Sequence, residues 1–251
     1  MPRNVAEVDA HVKFAWMTKW KVPPLRKLPR QWGFHTPKAR NNHTRVTTTR
    51  LMSGLTATIL RHVMNIELYL QQIPQHKVMG VCHFPTFYAA MDAAQHLVKL
   101  DPVAVELIDR TMIELARNIP IFKSTIDSFV KGEPDAVLLV EFSGDDLGSL
   151  KGKLQELDTM MSDLGYPKAI IEAIDPVFQS KITEVRQQGL NIMMSMKTSG
   201  KPVSFIEDCA VPLENLAEYT HRLTEVFKKY GTNGTWYAHA SVGCLHVRPV
   251  L

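Results

Sequence analysis

The run Ala136–Phe142, AVLLVEF, leaves the chain little choice of architecture. It is the clearest strand in the sequence, a continuous apolar stretch that asks to be buried on both faces. The pattern around it is regular from Ile66 onward. Ile66, Leu68 and Leu70 alternate as a strand does, and Lys77–Phe84 is a second candidate strand. Pro85 sits where a first helical residue would, ahead of Phe87, Met91, Ala94 and Val98 on one helical face. Ala104–Arg110 reads as a short strand or a helix start, and TMIELARN after it as a brief helix. Leu147, Leu150, Leu154, Leu157, Met161 and Leu164 recur in steps of three and four, with Gly165 placed to stop that helix. Ala169–Ile174 is a strand, and Asp175-Pro176 has the chemistry of a helix start; that helix fades near Gly189. Val203–Val211 is a strand, Pro212 opens a helix with Leu216, Leu223 and Phe227 on its apolar side, and Thr235–Leu251 ends the chain. Alternation of this kind, taken alone, favours a parallel α/β sheet.

Residues 1–65 do not share the pattern and read as an irregular or poorly ordered segment. Pro23, Pro24, Pro29 and Pro37 interrupt them, and the first fifty residues hold eleven Lys or Arg against Glu7 and Asp9, in a chain whose net charge is +4. Such a segment can touch nucleic acid or a membrane surface, or be a solvated tail. The absence of a recognisable binding motif argues against nucleic acid. Cys82, Cys209 and Cys244 are scattered, with no Cys-x-x-Cys, which suits a reducing compartment rather than an iron–sulfur or structural zinc site. No signal-peptide core and no eighteen-residue apolar stretch occurs. The expected location is cytoplasmic, peripheral to the inner membrane at most.

The last stretch, TWYAHASVGCLHVRPVL, holds the residues most suited to chemistry, His239 and His246. On a straight strand, positions seven apart face opposite ways and lie about 23 Å apart. A bend at Ser241, Gly243 and Cys244 would let both imidazoles face one metal ion or one substrate. The other reading has both histidines hydrogen-bonded inside a buried strand pair.

The pattern His-x3-Gly-x-Leu-His-x-Arg-Pro, with Tyr237 just ahead, resembles the C-terminal domain of FAD-linked oxidases. These flavoenzymes of the vanillyl-alcohol-oxidase type include D-lactate and other D-2-hydroxyacid dehydrogenases and the glycolate oxidase subunit. The wording HASVGCLHVRP is most similar to members fused to an iron–sulfur domain. The resemblance runs from Ile66 to Leu251. It implies an α+β fold instead of a parallel one: an antiparallel, ferredoxin-like sheet with helices over one face, residues 66–251, truncated at its C-terminal end. It implies FAD, held mostly by an N-terminal half that residues 1–60 do not resemble. The function implied is the substrate-domain portion of a dehydrogenase passing hydride from a D-2-hydroxyacid such as D-lactate to FAD. The alternative is a non-catalytic subunit or remnant that only binds a partner, a separate flavin-binding or iron–sulfur chain.

The resemblance also implies roles. His239 and His246 match catalytic histidines that bind a divalent metal such as zinc or manganese; the Glu-His-Gly segment that supplies a further acidic ligand is not reached before Leu251. Arg186 matches a helix arginine on the substrate carboxylate, with Thr183 where tryptophan is frequent. Asp208 and Pro212 match a Lys-x-Asp-x-x-x-Pro segment at the substrate, with Ile206 in place of the lysine and Lys201 as a possible substitute. Glu106 and Asp109 are expected to be structural, capping a helix or pairing with a basic neighbour. Cys244 is expected to be a small buried residue, and the role of Arg248 is open.

Overall fold

The computed structural model describes residues 73–197 and 200–251, with Glu207 and Asp208 described by their backbone only. Ile66–Leu70 lies outside the described residues. Residues Pro74–Leu251 form one compact unit.

The elements run β1 (His76–Phe84), α1 (Phe87–Leu97), β2 (Ala104–Asp109), α2 (Arg110–Arg117), α3 (Pro120–Phe129), β3 (Ala136–Gly144), α4 (Leu147–Asp163) and β4 (Ile170–Ala173). They continue with α5 (Pro176–Gln187), α6 (Gly189–Met194), β5 (Ile206–Ala210), α7 (Leu216–Lys229), β6 (Gly234–His239) and β7 (Cys244–Pro249). The strands form one sheet in the order β4-β1-β3-β2-β6-β7-β5. Every neighbouring pair is antiparallel. The first four strands, in the order 4-1-3-2, are the ferredoxin-like arrangement, in which β3 slips between β1 and β2. That insertion is why alternating strands and helices give an antiparallel sheet here and not the parallel one that alternation alone favours.

Side chains alternate across this sheet. Val78, Cys82, Val105, Leu107, Leu138, Val140, Trp236, Ala238, Leu245 and Val247 lie on one face, against α1, α4 and α7. Gly80 lets α4 close on β1: a Cβ there would lie 2.4 Å from Leu157 Cδ2. This layer covers one face, as the resemblance implies, and spans both halves of the sheet. A second layer, α2, α3, α5 and α6, covers the other face over β1, β2 and β3, where Met79, Val81, Ile108, Val137 and Leu139 point. β3 is therefore buried on both sides, as its composition demands.

Caps set the helix starts. Asp146 accepts from the backbone N–H of Ser149 at 2.7 Å, and Asp175 accepts from that of Phe178 at 2.8 Å with Pro176 in the first turn. α1 begins at Phe87 and not at Pro85; Thr86 caps it, its hydroxyl accepting from Ala89 N–H at 3.1 Å, and Pro85 lies just before the cap. Among the described residues no helix is long and apolar enough to cross a membrane.

Candidate active site

β6 and β7 form a hairpin whose register runs from Gly234 opposite Pro249 to His239 opposite Cys244. A 3-10 turn at Ala240–Val242 and then Gly243, at φ 65°, reverse the chain. A Cβ at Gly243 would lie 1.9 Å from the carbonyl oxygen of Val211, which leaves glycine as the residue that fits. Its own carbonyl accepts from Val211 N–H at 2.9 Å and ties the hairpin tip to the end of β5.

The turn does what a straight strand cannot. It returns residues seven apart to the same face, with Tyr237 directly opposite His246. The His246 ring stacks on Tyr237, centroids 4.4 Å apart at 24°. The His239 ring stands almost perpendicular to that of His246, centroids 5.2 Å apart at 82°. The bend expected at Gly243 is present, and both imidazoles occupy one patch.

That patch lies on the second face of the sheet, at the margin of its helical layer, which reaches it through Arg186. β2 pairs with β6 so that Glu106 is opposite His239. Both carboxylate oxygens of Glu106 lie 2.9 Å from His239 Nδ1. Arg186, near the end of α5, donates from Nη2 to Glu106 Oε2 at 2.7 Å and reaches the carbonyl of Ala238 at 3.5 Å. Its guanidinium carbon sits 5.3 Å from the centre of the Tyr237 ring. Arg186 Nε is buried and has no hydrogen-bond partner among the described residues. A guanidinium and an imidazole thus share one carboxylate, with a second imidazole and a phenol packed against them. His239 is the most open of them, its side chain 48% exposed against 14% for Arg186.

The remaining expected residues separate around this group. Asp208 lies where the register between β5 and β7 shifts, and its side chain is outside the described residues. Ile206 packs against the first-face core, away from the patch. Lys201 is exposed and donates from Nζ to the carbonyl of Met196. Cys244 is half-buried rather than buried, opposite His239. Arg248 is half-buried, two residues beyond His246 on β7 and so on the same face. Among the described residues no group of three His, Cys, Asp or Glu side chains is placed to hold a metal ion.

Glu106 and Asp109 divide the roles foreseen for them. Asp109 caps α2 through Met112 N–H at 2.8 Å and also accepts from Trp236 N–H at 3.1 Å, joining β2 to β6. Burial pushes its carboxyl up to about 7, against the downward pull of those two N–H donors. Glu106 pairs with a basic neighbour, as foreseen, yet it is also the centre of the patch, which was not foreseen. The available signal was a carboxylate in the middle of the strand AVELID, on the same side as the apolar Ile108.

Residues 73–251 match the sequence profile of the family described as FAD linked oxidases, C-terminal domain. A D-2-hydroxyglutarate dehydrogenase from Pantoea ananatis is 28% identical over 216 residues, covering 81% of this chain and 20% of that protein. Another, from Pseudomonas putida, is 26% identical and aligns with 100% of this chain, the first sixty residues included, over 25% of its own length. A mitochondrial cytochrome-type D-lactate dehydrogenase from Arabidopsis thaliana is 27% identical over 83% of this chain and 35% of its own length. The chain thus spans between a fifth and about a third of these curated relatives. Among solved structures, p-cresol methylhydroxylase with substrate bound superposes with a TM-score of 0.51 at 11% identity, over 73% of this chain and 40% of that one.

Proposed function

The chain belongs to the FAD-linked oxidases through their C-terminal domain, and from that premise we propose that it is the substrate-domain portion of a flavin-dependent dehydrogenase that oxidises a D-2-hydroxyacid. The observation that carries the reading is the convergence of Arg186, His239 and His246 on the open part of the second face. A guanidinium suits the substrate carboxylate. A neutral imidazole beside it suits the proton of the substrate hydroxyl. We assign Asp208 to the same substrate site on the resemblance alone. The relatives that are D-2-hydroxyglutarate and D-lactate dehydrogenases support a small hydroxyacid.

FAD, when bound, supplies the two-electron acceptor for the hydride from the α-carbon. The two imidazoles fit two positions in the shell of a divalent ion such as zinc or manganese, because one carboxylate already fixes Nδ1 of His239 and leaves its Nε2 for a ligand bond. Such an ion would lower the pKa of a bound hydroxyl. With no third described ligand, its remaining positions fall to substrate oxygens and to residues outside this group.

The test is anaerobic. Protein supplied with FAD is mixed with D-lactate or D-2-hydroxyglutarate and its visible absorbance followed. Bleaching of the flavin bands is expected, and Arg186→Gln should raise the acid concentration needed about tenfold or more, the worth of one charge-assisted hydrogen bond. A colourless protein that gains activity only with a separate flavin-binding chain would mark a binding subunit instead. Failure of either acid to bind or to bleach under both conditions would overturn the hydroxyacid reading.

A further inference from the structure

We propose that Glu106 is a positioning residue of this site: its single carboxylate decides which nitrogen of His239 carries the proton, while anchoring the Arg186 guanidinium beside it. The purpose of that arrangement rests on the hydroxyacid reading, but its geometry does not.

A carboxylate oxygen only accepts. With both oxygens 2.9 Å from His239 Nδ1, that nitrogen is the N–H donor of the neutral ring. The lone pair is then on Nε2, the atom free for a metal ion or a substrate proton. The same carboxylate takes Arg186 Nη2 at 2.7 Å. It therefore joins β2 to β6 through His239 and to α5 through Arg186, groups 133 and 80 residues away in sequence. A salt bridge serving stability alone would need Arg186 and not the imidazole.

Glu106→Gln separates the two roles. A carboxamide offers one accepting oxygen and one NH2. If the oxygen stays with Arg186, the NH2 faces Nδ1 of His239, where only a lone pair is tolerated. The ring then changes to the tautomer protonated on Nε2, and that atom is lost as a ligand. Arg186→Gln, by contrast, keeps the carboxylate on Nδ1 and keeps the tautomer.

The experiment is nitrogen NMR of histidine-labelled protein at about pH 8.5, above the usual imidazole range, with calorimetric titration of zinc or manganese. Wild type and Arg186→Gln should show His239 protonated on Nδ1, and Glu106→Gln should show it on Nε2. Metal affinity should fall about 10–100-fold in Glu106→Gln and little in Arg186→Gln. An unchanged His239 tautomer in Glu106→Gln that retains the wild-type circular dichroism overturns the proposal. So does an Nε2-protonated His239 in wild type, which decides the matter even where the variant fails to fold. If the tautomers behave as stated and neither metal nor hydroxyacid binds, the positioning by Glu106 stands and the hydroxyacid reading falls.

Discussion

Two histidines on the same face of one sheet meet opposite fates. His83, on β1, lies under the helical layer, its Nδ1 2.9 Å from the carbonyl of Ala169 and its Nε2 3.0 Å from the carbonyl of Phe129 and 3.1 Å from Lys131 N. Both ring nitrogens are used by backbone, and the side chain is a satisfied core group. His239, on β6, lies at the margin of that layer, with one nitrogen held by Glu106 and nearly half of its side chain exposed. The difference follows from the strands around them. β1 and β3 offer Met79, Val81, Val137 and Leu139 to this face, which requires cover. β6 and β7 offer Tyr237, His239, His246 and Arg248, which do not. One sheet is thus a core on one half and a chemical surface on the other, and side-chain alternation draws the line.

The comparison can be broken by truncation on each side. Leu139→Ala, under the covered half, should cost about 2–5 kcal/mol, the usual cost of a buried cavity. His246→Ala, on the open half, should cost less than about 1.5 kcal/mol, the worth of its stack on Tyr237. Urea unfolding of the two variants measures both, and equal costs would remove the distinction.

Next in size is the hinge that brings the open half together. Gly243→Ala forces an unfavourable left-handed backbone and a clash with the Val211 carbonyl, so a loss of at least about 2 kcal/mol is expected. The proximity of the His239 and His246 rings should be lost with it, seen as missing cross-relaxation between them. An alanine variant of normal stability with the rings still in contact would show that the bend has another cause.

The smallest effect tests the seam between the halves. Burial raises the Asp109 carboxyl to about 7, so the native state keeps a proton that the unfolded chain has already released. Its contribution to stability is full below the ordinary carboxylate range, about pH 4, and is lost as pH rises toward 7. Asp109→Asn carries no titrating group and should flatten that part of the profile. It should also cost about 1 kcal/mol, because its NH2 cannot accept from Trp236 N–H. Denaturant midpoints against pH, with the same slope in both proteins, would contradict this.

Much of the covered half is legible in the sequence. AVLLVEF announces burial on both sides, the leucine ladder gives α4, and Asp175-Pro176 gives the start of α5. The helices α3 and α6 are not foreseen: α3 follows α2 almost without a break, and α6 is six residues with no side-chain cap. The two histidines and their bend are legible because a hairpin is local. Glu106 as the centre is not, because periodicity reports which face a residue takes and not which strand lies beside it. The register that sets Glu106 against His239 is chosen by packing between segments far apart in the chain.

The most direct measurement of the central claim follows the imidazole signals of His83, His239 and His246 while D-2-hydroxyglutarate or D-lactate is added. The account predicts that His239 and His246 shift together with one dissociation constant, that His83 stays still, and that Arg186→Gln weakens the response. Shifts at His83 alone, or none at His239 and His246 at saturating acid, would contradict it.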